Sequence, residues 1–227
     1  LMELNSLKKL TNSGLFHKRF KLPYLTISST YQNYSNDVFQ IMDSIYQELK
    51  IDALIRALLD GKEVNFTEKR AALHHYYRDL SKKDNDFDSI SASKFFLKKI
   101  EENSYKNIFI FGIGGSYEGP KLLHEFTETK GNLFFITGPD KDEFLSLVKP
   151  RLKENNLYVF ISKSFLTDEL LLSHSWLPKN ILKRNLFAIT ANKSKAMEFG
   201  FVEQNIIDFP ESVGGRYSIW SQVNSPV

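Results

Sequence analysis

Apolar residues follow one pattern in the first hundred positions and another after them. At positions 38, 41, 45, 49 and 53 they recur at steps of three and four residues, which predicts a helical tract that begins at an Asn36 cap and ends near Gly61. A second helix is predicted from a Thr67 cap to Arg78, and a third over about residues 92–102. The stretch between them, residues 81–89, is rich in Lys, Asp and Asn and is expected to be an exposed loop.

From residue 107 the apolar residues come in short continuous runs that helical segments separate. The runs cover residues 108–111, 133–137, 157–161, 185–190 and, less clearly, 206–209. Strands that are apolar at consecutive positions are buried on both faces, and alternation with helices favours parallel pairing. Residues 105–227 are therefore predicted to form an α/β domain, a doubly wound three-layer sandwich with a five-stranded parallel sheet. Residues 1–104 are predicted to be an N-terminal arm and a helical segment that pack on this domain.

Composition excludes several classes of protein and names no function. Of the 227 residues, 42% are hydrophobic and 25% are charged, which is typical of a soluble globular chain. No apolar run reaches the roughly 18 residues of a membrane span, and a net charge of +3 gives no argument for nucleic acid. Cysteine is absent, which excludes disulfides and thiolate metal sites. We expect a cytoplasmic protein, although the basic, acid-poor start leaves a transit peptide open.

The loops that follow the predicted strands are the candidate sites, because doubly wound sheets bind ligands outside the carboxyl ends of their strands. The first such loop, residues 112–120, contains four glycines and Ser116. Glycine lets the backbone approach a ligand, and N–H groups at a helix start favour an anion. Tyr117 stands where a dinucleotide fingerprint needs glycine, and no Walker Gly-Lys-Ser/Thr follows. A turn that merely needs glycine remains the alternative.

The second loop carries three hydroxyl side chains, on Ser162, Ser164 and Thr167. Each hydroxyl can donate to a phosphate oxygen, and the start of the following helix adds N–H donors and a favourable dipole. This loop is therefore a candidate phosphate cradle. The alternative is an ordinary capping cluster, because Ser and Thr are good helix caps.

The third loop, residues 213–218, places Arg216 directly after Gly214 and Gly215. A guanidinium at a point where backbone crowds a ligand suits an oxyanion that develops during a reaction. A Gly-Gly turn with a surface Arg is the alternative. The histidines indicate no metal site: His74 and His75 are adjacent on a predicted helix and point apart, and the other three have no partner at ligand spacing. Asp140 is expected to cap a helix.

Taken together, these segments resemble the phosphoglucose isomerase (glucose-6-phosphate isomerase) family. The resemblance runs in order from about Gly61 to Val223. It is carried by Thr67-Glu68-x-Arg70-Ala71-x-Leu73-His74, Gly112-Ile113-Gly114-Gly115-Ser116 with Gly119-Pro120, Ser162-Lys163-Ser164-Phe165-x-Thr167 and Gly214-Gly215-Arg216-Tyr217-Ser218-x-Trp220-Ser221.

The resemblance implies a sugar isomerase domain and an aldose–ketose isomerase of glycolysis and gluconeogenesis. In that family the sugar phosphate is held by residues that match Ser162, Lys163, Ser164 and Thr167. The sugar site is lined by residues that match Gly115, Ser116 and Gly215. The residue that matches Arg216 steadies a cis-enediolate while a glutamate moves a proton between C2 and C1, which interconverts glucose 6-phosphate and fructose 6-phosphate. The resemblance implies no cofactor or metal, and a homodimer for the full-length protein.

Some positions depart from the family pattern. Tyr117-Glu118 stands where the family usually has Asp-Leu, and Asp168 stands where it has Gln, which would place a carboxylate beside the cradle and weaken phosphate binding. The family's catalytic glutamate, ring-opening histidine and late lysine match positions beyond residue 227. We therefore expect the amino-terminal part of an isomerase, inactive by itself. The open alternative is a non-catalytic sugar isomerase domain that senses a phosphosugar in a regulator.

Overall fold

The computed structural model describes residues 15–21, 23, 25–32, 36–79, 85–127, 131–181 and 183–227. The chain divides into two compact units, Leu1–Asp60 and Gly61–Val227. The first fourteen residues of the predicted arm, and residues 81–84 of the predicted loop, lie outside the described ranges. The domain division at residue 104 stays a prediction.

The described part of the first unit, residues 15–60 with short gaps, contains a hairpin and two helices. Strands β1 (Leu15–Lys21) and β2 (Thr26–Gln32) pair antiparallel, and helices α1 (Asn36–Glu48) and α2 (Ile51–Leu59) follow. The single helical tract predicted here is wrong, because Lys50 takes a left-handed backbone conformation with φ 50° and separates two helices. The apolar spacing hides this break because it continues at helical steps across it.

The second unit is built on a five-stranded sheet. Its strands are β3 (Asn107–Gly112), β4 (Asn132–Ile136), β5 (Asn156–Ile161), β6 (Leu186–Thr190) and β7 (Ile206–Asp208). They lie in the order β4-β3-β5-β6-β7 and every pair is parallel, which confirms the predicted sheet. All residues of β3 and β5 are buried, and this explains why their sequences are continuously apolar.

Helices cover the sheet and complete the doubly wound α/β fold. They are α3 (Ser89–Asn103), α4 (Gly115–Phe126), α5 (Lys141–Leu147), α6 (Asp168–Ser175) and α7 (Lys193–Glu198). Alternate residues of one strand enter two separate cores: Phe109 and Phe111 belong to one, Ile108 and Ile110 to the other. Within the described ranges, no helix is both long and apolar enough to cross a bilayer.

Capping side chains fix where two predicted helices begin. The third predicted helix is confirmed as α3, which begins at Ser89 because the Asp88 carboxylate accepts a hydrogen bond from the Ser91 N–H at 2.9 Å. Asp140 caps α5, as predicted, since its carboxylate accepts from two backbone N–H groups of the first turn.

The helix predicted from Thr67 to Arg78 is wrong for most of its length. The Thr67 hydroxyl donates to the Asn65 side chain at 2.8 Å instead of capping a helix. Asn65 and Arg70 form an isolated antiparallel bridge, and only His74–Arg78 is helical, as a 3-10 turn. This segment is therefore an irregular loop with a short helical end.

The strand order places the topological switch point between β3 and β5. From β3 the chain passes through α4 to β4 on one side, and then returns to β5 on the other side of β3. Open α/β sheets bind ligands at such a point, outside the carboxyl ends of the strands. The loops after β3 and β5 flank this position.

Candidate functional site

A cavity of about 730 Å³ opens at the carboxyl edge of the sheet in the second unit. Its lining brings together predicted site residues from the loops after β3 and β5: Ser116, Ser162, Lys163, Ser164 and Thr167. It also includes polar residues that were not predicted to take part: Glu68, Arg70, Asn192 and Glu211. Convergent polar groups in a large cavity at a switch point define a candidate ligand site.

The hydroxyl loop, residues 162–167, is folded around its own side chains. The buried Ser162 hydroxyl accepts from the Phe165 N–H at 3.1 Å and lies 3.1 Å from the Thr167 hydroxyl. The Ser164 hydroxyl accepts from the Leu166 N–H at 3.2 Å. A hydroxyl that accepts a hydrogen bond can also donate one through its own O–H. The loop can therefore hold its shape and still present O–H donors to an anion.

Phe165 anchors this loop to the buried core of the domain. Its backbone has φ 54°, a conformation that bulky residues rarely adopt. The ring is only 1% exposed and packs edge-on against Phe201, with centroids 5.3 Å apart. Burial of the ring thus offsets the local strain and fixes the curvature of the cradle.

The loop leads into α6, whose first turn is acidic. Thr167 is the N-cap residue but makes no side-chain capping bond, so its hydroxyl remains directed to the loop. Asp168 and Glu169 occupy the first turn. Asp168 directly follows Thr167 in the chain, but it is exposed and does not line the cavity. That its carboxylate weakens phosphate binding stays a prediction.

Glycines bring the loops after β3 and β7 into backbone contact. A Cβ added to Gly115 would lie 2.0 Å from the carbonyl oxygen of Gly215, so this approach excludes a side chain. The Ser218 hydroxyl donates to the same oxygen at 2.7 Å. Arg216 follows on this segment with an exposed side chain, and neither it nor the two glycines line the cavity.

Charged groups crowd the other side of the cavity. The Lys163 ammonium donates to the carbonyl oxygens of Glu211 and Val213, the second at 3.2 Å. Burial, and then the nearby Arg70, lower the pKa of Lys163. Arg70 Nε donates to the Glu68 carboxylate at 2.6 Å, and this bond lowers the pKa of Glu68. In the sequence, the only sign of this cluster is that Glu68 and Arg70 are two residues apart. The helix predicted from Thr67 to Arg78 would place these two side chains on different faces.

His74 connects the same segment to the Gly-Gly-Arg motif. Its imidazole stacks on the Tyr217 ring, with centroids 4.2 Å apart and planes 14° apart. Burial, and then the adjacent His75 and Arg78, lower the pKa of His74. The lowered pKa favours the neutral form of this imidazole, which packs against the residue that follows Arg216.

The fold and the cavity define a doubly wound α/β domain with a polar ligand site beside its switch point. The model of one protein family, "Phosphoglucose isomerase", matches residues 30–227. The chain therefore belongs to the phosphoglucose isomerase family.

Curated relatives carry the name glucose-6-phosphate isomerase. The protein from Buchnera aphidicola subsp. Cinara cedri is 31% identical, over 94% of this chain and 44% of the relative. The protein from Shewanella sediminis is 26% identical, over 85% of this chain and 41% of the relative. This chain thus spans less than half the length of these relatives.

Solved structures agree with the fold. A glucose-6-phosphate isomerase from Chlamydia trachomatis superposes with a TM-score of 0.64 at 19% identity, over 86% of this chain and 43% of that structure. A hypothetical protein from Thermus thermophilus superposes with a TM-score of 0.59 at 22% identity, over 81% of this chain and 44% of that structure. At these identities, the likeness concerns the architecture.

Proposed function

We propose that this chain supplies the sugar-phosphate site of a glucose-6-phosphate isomerase. The observation that carries the proposal is the convergence of the hydroxyls of Ser116, Ser162, Ser164 and Thr167 in one cavity at the switch point. A phosphate group offers acceptor oxygens to such donors, and hydrogen bonds to a charged group contribute about 1.5–3 kcal/mol each. The Lys163 backbone, which lies between Ser162 and Ser164 in the same loop, would add to the cradle.

The sugar would extend from the cradle along Gly115 and Ser116 towards Gly215. In the proposed reaction a proton moves from C2 to C1 of the open-chain aldose, and O2 loses the proton that O1 gains, so the step is balanced without a redox partner. Arg216 would stabilise the negative charge of the cis-enediolate between these transfers. The proposed chemistry requires no metal or cofactor.

The carboxylates that line the cavity are poor candidates for the base. Glu68 is paired with Arg70, which lowers its pKa and makes it a weaker proton acceptor. Glu211 is exposed, and it lies close in sequence to Arg216. We therefore propose that the base comes from the part of the enzyme that corresponds to the remaining length of the relatives. The predicted homodimer stays part of this proposal.

Arg216 provides the test of this function in the full-length enzyme. Arg216→Ala should lower kcat by at least about a hundredfold and raise KM little, because the enediolate charge exists only during the reaction. Arg216→Lys should rescue little, since an ammonium lacks the planar fork. The matched control is the exposed Arg184→Ala. A variant with normal kcat and a raised KM would assign Arg216 to ground-state binding and contradict the proposed role.

A further inference from the structure

Arg70 and Lys163 converge on one backbone carbonyl in the segment that leads to the Gly-Gly-Arg motif. The Arg70 guanidinium donates to the carbonyl of Glu211. The Lys163 ammonium reaches the same carbonyl from the hydroxyl loop and also donates to the carbonyl of Val213 at 3.2 Å. A guanidinium is a planar fork of fixed geometry, whereas an ammonium turns on a flexible stem. Arg70 is therefore the group that fixes where this carbonyl lies.

Arg70 is itself held rigidly. Its side chain is only 15% exposed, and its Nε donates to the Glu68 carboxylate at 2.6 Å. Glu68 is fixed in turn, because its backbone N–H donates to the Asn65 side chain at 3.2 Å, and Asn65 bridges to the backbone of Arg70. One edge of the guanidinium thus contacts Glu68, which the turn at Asn65 holds in place, and the other edge donates to the Glu211 carbonyl.

The segment beyond this carbonyl has little room to move independently. The Ser212 carbonyl accepts from the Leu73 N–H at 3.0 Å, close in the chain to Arg70. A Cβ added to Gly214 would lie 3.8 Å from the Arg70 guanidinium, and Gly215 is in backbone contact with Gly115. A displacement of the Glu211 carbonyl would therefore be passed along the backbone to Arg216.

We propose that Arg70 is a positioning residue, which sets the place of Arg216 relative to the hydroxyl loop through the carbonyl of Glu211. The inference rests on the proposed function for the role of Arg216 in binding an enediolate. Its structural part, the fixing of residues 211–218 by Arg70, is measurable without a ligand.

The first test compares two probes on this chain. Inorganic phosphate reports the hydroxyl loop, and 5-phosphoarabinonate also carries a carboxylate that resembles the enediolate charge. Arg70→Lys should weaken 5-phosphoarabinonate about tenfold and phosphate less than about twofold, whereas the exposed Arg184→Lys should change neither. With Arg216→Ala already present, Arg70→Lys should cause no further loss, because it acts through Arg216. Equal losses for both probes, or additive losses in the double variant, would overturn the proposal.

The second test is hydrogen exchange of the free chain, which separates this inference from the proposed function. Arg70→Lys should accelerate exchange about tenfold in peptides that cover residues 211–218 and leave residues 156–167 unchanged. Unchanged exchange at 211–218 would overturn the positioning role even if the chain binds both probes. Loss of protection throughout the sheet would also overturn it, since Arg70 would then be a general structural residue. If wild-type chain binds neither probe, the proposed function fails, and exchange alone decides the inference.

Discussion

At the residue scale, Gly115 is required by close packing and not by a special backbone angle. Gly115→Ala should destabilise the fold by about 1–3 kcal/mol, because its Cβ would lie 2.0 Å from the carbonyl oxygen of Gly215. Gly119→Ala is the matched control on the same helix, since its Cβ would lie 3.5 Å from Asn224 in ordinary contact. The control should cost clearly less than Gly115→Ala, because the gain in helix propensity offsets the clash of a Cβ with the ring of Pro120 that follows. Urea unfolding measures both, and equal effects would contradict the close approach.

His174 gives a prediction about pH. Burial lowers its pKa below the ordinary value of 6.5, and its ring packs against Phe160 with centroids 5.3 Å apart. The unfolded chain therefore takes up a proton below about pH 6.5 that the folded chain resists, so this stability is complete above that pH and falls as the pH drops through the folded pKa. In urea unfolding between about pH 8 and pH 5, His174→Phe should show a smaller fall than the wild type. A parallel fall in both would contradict a lowered pKa of His174.

The individual site residues differ in how far the sequence revealed them. Ser162, Ser164 and Thr167 were predicted as a group, with a helix-capping cluster as the alternative, and the structure places all three on one cavity. Arg70 was not predicted to be in the site. Its partner, the carbonyl of Glu211, is 141 positions away, and no local pattern reports such a contact.

At the scale of elements, the hydroxyl loop depends on the residue buried beneath it. Phe165→Ala should cost about 3–5 kcal/mol of unfolding free energy, because the ring is only 1% exposed and fixes a left-handed backbone conformation. The adjacent Leu166→Ala is the control, since that side chain is 56% exposed and should matter within about 0.5 kcal/mol. Chemical unfolding distinguishes the two, and similar small losses would show that the ring is not the anchor.

The strands were predictable from sequence, and the irregular segments were not. Continuous apolar runs correspond to β3 to β7 because both faces of this sheet are covered. The break at Lys50 and the loop around Arg70 depend on one backbone angle and on remote contacts. The spacing of apolar residues contains no information about a single backbone angle or a remote contact. The helices predicted in both places are therefore too long.

At the scale of the whole molecule, the family match covers more of the chain than the unit that contains the proposed site. The family model covers residues 30–227, whereas the candidate cavity lies within the second unit, Gly61–Val227. The relatives named glucose-6-phosphate isomerase are more than twice as long as the matched part. Phosphate binding is therefore the part of the proposed function that can be measured on this chain alone.

Calorimetric titration of this chain with glucose 6-phosphate tests that recognition most directly. Combined replacement of Ser162, Ser164 and Thr167 by Ala should weaken binding at least about tenfold, since each bond to the charged phosphate contributes about 1.5–3 kcal/mol. Ser175→Ala, an exposed hydroxyl on α6, should bind like the wild type. Circular dichroism confirms that the triple variant is folded, a necessary check because the Ser162 hydroxyl also supports the loop. Unchanged affinity in the folded triple variant would contradict the account and place the phosphate elsewhere.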